Sequence, residues 1–268
     1  MNADLKNLTI LQLSDLHILS EPKATFLGVD TMHYFQECLK LAFSMGRHFD
    51  LMLLTGDLAQ EPVYQTYQRI LSSLKDYSDV PCICLPGNHD DFGLMQQAFV
   101  NDAVNCRKQI TLGRWQIINL NSQIPGKPAG RLAESELSFL EQCLENFPQQ
   151  YAFIAVHHHC VKTNSSWMDT MMIENSDELF AHLARFPQVK LITSGHIHQV
   201  LDINLGQIRV LGTPSTCFQF EPGCDKFSVV DTAPGFRLFQ LGRDGGISTE
   251  IVRLPVNLAG VVNANQIY

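Results

Sequence analysis

Charge is scarce in this chain, and basic charge is scarcest. Asp, Glu, Lys and Arg make up 17% of the 268 residues, against ~25% in an ordinary globular domain. Nineteen Lys and Arg face 27 Asp and Glu, which leaves a net charge of −8. Arg107-Lys108 is the only adjacent basic pair. The basic stripe that tracks a phosphate backbone is missing, which argues against a nucleic-acid partner. Long hydrophobic runs are missing too. Nothing approaches the ~18 apolar residues of a membrane span. The first residues carry Asp4 and lack the apolar core of a signal peptide. These features lead us to expect a cytoplasmic protein with no membrane partner. The eight cysteines contain no C-x2-C pair, so a zinc ribbon has no support. Cys82 and Cys84, alternating with Ile83, read as small buried strand residues. Cys217 and Cys224 are near enough in sequence to close a loop, but a reducing compartment keeps such thiols free. Apolar residues are plentiful, at 45%. That share excludes overall disorder. At this length it supplies a large core in one large or two small domains.

There is no internal repeat, low-complexity tract or linker. A recurring organisation is present instead: a short apolar run ends in a polar cluster, often with a helical stretch after it. Residues 8–13 lead into Ser14-Asp15-Leu16-His17, and 51–55 into Gly56-Asp57. Residues 81–85 lead into Pro86-Gly87-Asn88-His89-Asp90. Residues 151–156 lead into His157-His158-His159, and 191–194 into Gly195-His196-Ile197-His198. The runs lack polar alternation, as strands buried on both faces do. Apolar spacing predicts helices over 31–45, 62–77, 135–147 and 176–186, with Pro62 in the first turn of the second. Beyond residue 200 the runs 200–205, 207–211, 227–230, 236–241 and 250–254 read as sheet hairpins. This order predicts a mixed α/β sandwich rather than a purely parallel sheet.

All five clusters follow predicted strands, and the carboxyl edge of such a sheet is where ligands bind. Seven of the ten histidines lie in them. Asp15, His17, Asp57, Asn88, His157, His196 and His198 offer carboxylate, amide and imidazole donors. That mixture suits Mn, Fe or Zn better than Ca or Mg. A single D-x-H or H-x-H is weak, because one histidine is usually just a satisfied core or surface residue. Gly87-Asn88-His89-Asp90 says more, since Gly87 permits a sharp turn and Asn88 brings a neutral oxygen. Five such clusters in one order are hard to explain as packing.

With these residues the chain resembles the calcineurin-like metallophosphoesterases. The resemblance extends to bacterial class III cyclic-nucleotide phosphodiesterases that act on cyclic AMP. The additional matching residues are Leu27-Gly28-Val29-Asp30-Thr31, His157-His158-His159, Trp167-Met168-Asp169, Gly212-Thr213-Pro214-Ser215-Thr216-Cys217 and Pro234-Gly235-Phe236. It covers a domain over 1–254 and leaves a tail, 255–268, that is either an arm packing on a partner or disordered. The resemblance implies an α/β fold: a four-layer αββα sandwich of two mixed sheets with a dinuclear site at the strand C-terminal rim. Asp15, His17, Asp57 and His198 would hold one divalent ion, and Asp57, Asn88, His157 and His196 the other. Iron or manganese is expected, with zinc as a further option. The implied reaction is hydrolysis of 3′,5′-cyclic AMP to AMP by a metal-bridged hydroxide, with His17, Asp57, Asn88, His89 and His198 contacting the small-molecule substrate. His89 would stabilise the transition state or protonate the leaving oxygen. Asp90 would either fix the tautomer of His89 or act as a turn residue. A broader metal-dependent phosphodiesterase and a non-catalytic scaffold of the same fold are the alternatives. The segment departs from the family at Cys160, where proline is common. His158 and His159 are read either as supports or substrate-facing groups or as loop filling. Trp167 and Met168 are read either as a lid over the base or as an apolar anchor. Nothing in the chain specifies an oligomeric partner.

Overall fold

The structure is a computed structural model and describes residues 7–256 and Leu258. It contains two six-stranded mixed sheets. In the first, β1 (Leu8–Leu13), β2 (Leu51–Thr55), β3 (Cys82–Leu85) and β4 (Val104–Asn105) are parallel neighbours. The hairpin β13 (Gly235–Leu241)–β14 (Ile247–Arg253) adds antiparallel to β1. In the second, β6 (Trp115–Leu120), β7 (Tyr151–Val156), β8 (Val189–Ser194) and β10 (Ile208–Gly212) are parallel. Strands β5 (Gln109–Leu112) and β9 (Leu201–Leu205) pair antiparallel at its edges. A short ribbon, β11 (Gln219–Phe220) with β12 (Val229–Val230), lies outside both sheets.

Side-chain alternation along the strands builds the layers. Leu11, Leu13, Met52, Leu54, Cys82 and Cys84 pack with α1 (Thr31–Ser44), α2 (Tyr64–Leu74) and α3 (Phe92–Ala98). The intervening residues Ile10, Leu51, Leu53, Ile83 and Leu85 turn to the other face and meet Trp115, Ile117, Phe153, Ala155 and Leu191 of the second sheet. Ile118, Leu120, Ile154, Val156 and Ile192 then face α4 (Glu134–Asn146) and α5 (Ser176–Leu183). The result is the αββα order expected. Both faces of each central strand are apolar because both are covered. Asp30 caps α1 by accepting from His33 N, and Asp91 caps α3 by accepting from Leu94 N.

Three expectations need correction or completion. Pro62 is not in the first turn of α2: that helix starts at Tyr64 after an extended Val63. Gln60 N donates to Ile18 O and Ser20 N to the Glu61 carboxylate, so the chain stays tied to the neighbouring loop until Val63. Strand β6, central to the second sheet, was not foreseen. Its Gln116 and Asn119 interrupt the apolar run, yet both are buried. Helix α3 was not foreseen either. All eight cysteines are free thiols, so Cys217 and Cys224 form no disulfide. No helix among the described residues is long and apolar enough to cross a membrane. The proposed tail lies outside the described residues except for Pro255, Val256 and Leu258.

One polar network joins the sheets beneath the rim. Gln12 Nε2 donates to Thr55 Oγ1 (2.9 Å), while Thr193 Oγ1 (2.8 Å) and Thr213 Oγ1 (2.6 Å) donate to Gln12 Oε1. All four residues are fully buried. Replacing Gln12 by Leu would strand these hydroxyls, and each buried group left unpaired costs about 1–3 kcal/mol. Gln12→Leu is therefore expected to lower the urea-unfolding free energy by at least that amount. An unchanged urea midpoint would refute this.

Candidate metal centre

Five loops meet where the carboxyl ends of β1, β2, β3, β7 and β8 converge. They carry Asp15 and His17, Asp57, Asn88 to Asp90, His157, and His196 with His198. Asp15, His17, Asp57, His157, His196 and His198 are buried, whereas Asn88 and His89 are half-buried. Five of these residues have left-handed backbones: Asp15 (φ 53°), His17 (47°), Asp57 (49°), His196 (65°) and His198 (46°). Non-glycine residues rarely adopt this region, and such strain costs of order 1–3 kcal/mol each. Asp-x-His and His-x-His each place two such residues one apart. Gly87 is needed for a different reason from the sharp turn expected of it. A Cβ there would lie 2.2 Å from Asp57 N, so its role is close approach of two loops.

The imidazoles are oriented from behind. Nδ1 of His157 donates to Thr55 O (2.9 Å), Nδ1 of His198 to Phe218 O (2.9 Å) and Nδ1 of His17 to Gln60 Oε1 (2.8 Å). A carbonyl only accepts, so each Nδ1 carries a proton; the neutral rings of His17 and His198 turn a bare Nε2 inward, whereas the inward Nε2 of His157 holds a second proton until a metal displaces it. These inward atoms crowd one another. His17 Nε2 lies 3.1 Å from His198 Nε2, and His157 Nε2 lies 3.2 Å from Asn88 Oδ1 and 3.3 Å from Asp57 Oδ2. His17 Nε2 is 3.8 Å from Asp57 Oδ2, and His198 Nε2 is 3.6 Å from Asp15 Oδ1. Asp15 Oδ2 and His196 Nε2 are buried with no hydrogen-bond partner among the described residues. Lone pairs converging out of water repel unless a cation lies among them, and the donors therefore fit a divalent metal. Donor atoms of Asp15, His17 and His198 lie within 4.8 Å of one another, as do those of Asp15, Asp57 and His157.

Electrostatics agree with that fit. Burial drives His17 down to about 4 and His196 and His198 well below the usual imidazole value, so these rings stay neutral and able to ligate. Burial would raise Asp57, but His157, His89 and His17 together hold it well below the carboxylate range. His157 goes the other way: despite burial, the Asp57 anion lifts it to about 9. Burial pushes Asp15 up to about 7.

Other residues hold the loops, and several were not found by sequence reasoning. Asp90 accepts from Leu58 N (3.1 Å), Ala59 N (3.0 Å), Gly87 N (2.9 Å) and Tyr67 OH (3.2 Å), so its carboxylate clamps the Asp57 loop to the Asn88 loop. Gln123, just beyond the unforeseen β6, donates to Gly87 O (2.6 Å) and Asp90 O (2.8 Å). Two of the additional sequence motifs supply supports. Thr31 Oγ1 donates to His17 O (2.9 Å) and Ser215 Oγ to Asp15 O (2.8 Å). His158 and His159 are buried, and their rings lie 4.7 Å and 5.7 Å from that of His196. Met168 is a core residue; Trp167 packs half-buried on Phe220 (5.2 Å) and Phe227 (5.4 Å), the arrangement of an anchor.

An Asp/His/Asn donor set, buried except for Asn88, at the rim of an αββα sandwich is a candidate metal centre. A family model for calcineurin-like phosphoesterases matches residues 8–200. The 3′,5′-cyclic adenosine monophosphate phosphodiesterase CpdA of Escherichia coli (strain K12) is 39% identical over 246 residues, covering 91% of this chain and 89% of that protein. The 3′,5′-cyclic-nucleotide phosphodiesterase alr5338 of Nostoc sp. (strain PCC 7120) is 35% identical over 251 residues, 94% of each. A dimetal phosphatase from Danio rerio superposes with a TM-score of 0.60, covering 92% of this chain and 99% of that one, and at 10% identity shares the fold alone. The chain belongs to the calcineurin-like phosphoesterase family and is a metal-dependent phosphoesterase.

Ligation requires deprotonated donors, so metal binding must displace the protons on His157 (about 9) and Asp15 (about 7). An ion that takes one of these donors displaces one proton, so apparent Mn(II) affinity is expected to rise about tenfold per pH unit, up to about pH 7 where Asp15 is the donor and up to about pH 9 where His157 is. Calorimetric titration of metal-stripped protein checks this, and a pH-independent affinity contradicts it.

Proposed function

We propose that the protein hydrolyses 3′,5′-cyclic AMP to AMP at a dinuclear centre of iron or manganese, with zinc as an alternative metal. The observation that carries the reading is the complete donor set, with His89 beside it, in a chain 39% identical to a cyclic-AMP phosphodiesterase. Asp15, His17, Asp57 and His198 would hold one ion, and Asp57, Asn88, His157 and His196 the other. Bound divalent ions would supply positive charge to the phosphodiester and a hydroxide nucleophile near neutral pH.

The chain's own groups do the rest. Asp57 Oδ1 accepts from His89 N (2.9 Å), which fixes the carboxylate and leaves Oδ2 toward His17 and His157. That same bond places His89 at the open edge of the cluster, its ring 5.1 Å from that of His17. His89 there serves as the acid that delivers a proton to the departing ribose oxygen. Asn88, with its amide partly exposed, and His17, Asp57 and His198 form the phosphate-facing wall. Asp90 acts through the loops it clamps, as a positioning residue rather than as a partner in chemistry.

The Nostoc relative is named for cyclic nucleotides generally, and this favours a second reading in which other cyclic nucleotides are also cleaved. Turnover of cyclic AMP, cyclic GMP, an aryl diester and an aryl monoester by the Mn-loaded protein separates the two. His89→Ala is expected to lower kcat for cyclic AMP by about 10²–10⁴-fold, the range for loss of a general acid, with metal content unchanged. Fast diester turnover with cyclic AMP untouched would remove cyclic AMP as the substrate. Wild-type kcat in the variant would remove His89 as the acid.

A further inference from the structure

The donor set and His89 account for the phosphate of the proposed substrate and for its departing ribose oxygen. They offer the nucleobase no apolar surface. Phe26, at the edge of the cluster, has the chemistry to take it. Its ring lies 5.6 Å from that of His17, and His89 borders the same imidazole at 5.1 Å. Phe26 and His89 are both half-buried, whereas Phe218, 5.5 Å from Phe26, is fully buried. Phe26 thus rests on the core through Phe218 and keeps part of its surface in solvent beside a donor. The backbone holds that ring at a cost. Phe26 N donates to Val29 O and Val29 N to Phe26 O, both at 2.9 Å, which closes a two-residue turn on Leu27 (φ 51°) and Gly28 (φ 79°). Such a turn needs left-handed backbone at both central residues and ordinarily takes Asn-Gly or Asp-Gly. Leucine is strained there. Its side chain and that of Val29 are buried in the apolar cluster that contains Phe218, and this burial fastens the turn. Phe26 is consequently in place before any ligand arrives, and a preorganised ring loses little freedom on binding.

We infer that Phe26 is the base-binding residue of this site: its ring stacks on the nucleobase while the residues at the metal centre hold the phosphate. The inference rests on the cyclic-nucleotide reading above and adds the residue that separates a nucleotide from a bare phosphodiester. Stacking uses the π-face that every base has, so Phe26 favours a nucleotide without choosing among bases.

The test compares kcat/KM for cyclic AMP, cyclic GMP and the base-free 3′,5′-cyclic ribose phosphate in Mn-loaded wild type, Phe26→Ala and Phe26→Tyr. Phe26→Ala is expected to lower the ratio of cyclic AMP to base-free turnover by about 5–150-fold, the range for loss of one stacking partner. The loss should appear in KM rather than kcat, because stacking holds ground state and transition state alike. Phe26→Tyr keeps the ring and should keep the wild-type ratio, and cyclic GMP should lose as much as cyclic AMP in Phe26→Ala. A purely structural role would displace His17 and slow every substrate together. An unchanged ratio in Phe26→Ala, or a loss confined to one base, would overturn the inference and leave the cyclic-nucleotide reading intact. A wild type that cleaves the base-free ester but neither cyclic nucleotide would overturn that reading and the inference with it. Should Phe26→Ala fail to fold, Phe26→Leu, which preserves apolar packing and lacks the π-face, decides by the same ratio.

Discussion

The Asp57 carboxylate must stay ionised inside the protein, and most of the site can be understood as the means of keeping it so. A lone buried carboxylate would take up a proton. Here Oδ1 accepts from His89 N, and Oδ2 faces His157 and His17. Its charge in turn raises His157 and leaves the remaining rings neutral under the weight of burial. The outcome is a cluster of neutral nitrogens around a fixed anion. Such a cluster is poorly stable by itself and well matched to divalent cations. The same neutral nitrogens suit the chemistry of the family, because none has to shed a proton when metal arrives except His157.

That arrangement is possible only because the two sheets meet at one rim. Asp15, Asp57 and Asn88 come from the first sheet, and His157, His196 and His198 from the second. Direct bonds stitch the edges: His196 N donates to Asp15 Oδ1 (2.8 Å), and His157 Nδ1 to Thr55 O. Below them the Gln12 network fixes β1 against β8 and the end of β10. Between these polar ties lies an apolar layer whose residues, such as Phe153 and Phe239 (4.9 Å between ring centroids), allow little sliding. The strained backbones of Asp15, His17, Asp57, His196 and His198 are therefore over-determined by their surroundings, as strained functional residues have to be.

Legibility from sequence followed the chemistry. Strands ending in donors were readable because each apolar run was marked by the cluster after it. Strand β6 carries no donor and hides Gln116 and Asn119 in its interior, so neither signal was present. Its exit nonetheless supplies Gln123 to the site, which only three-dimensional proximity reveals. Tyr67 was invisible for a similar reason: it reads as the apolar face of α2, and its hydroxyl reaches Asp90 across 23 residues of chain. Leu27 to Thr31 was legible as a motif but not as a mechanism. The mechanism is a tight turn at Phe26–Val29, a helix cap at Asp30 and a hydroxyl on the carbonyl of His17. The left-handed residues leave no trace in composition, since Asp and His at those positions look like any donors.

The central claim is that cations complete this fold at its rim, and thermal unfolding of metal-stripped protein with and without Mn(II) tests it most directly. Ions that bind only the folded chain stabilise it by about 2.7 kcal/mol per site at 100-fold excess over Kd. A midpoint several degrees higher with Mn(II), returned to its starting value by chelator, is the predicted result. An identical midpoint in both conditions would contradict the account.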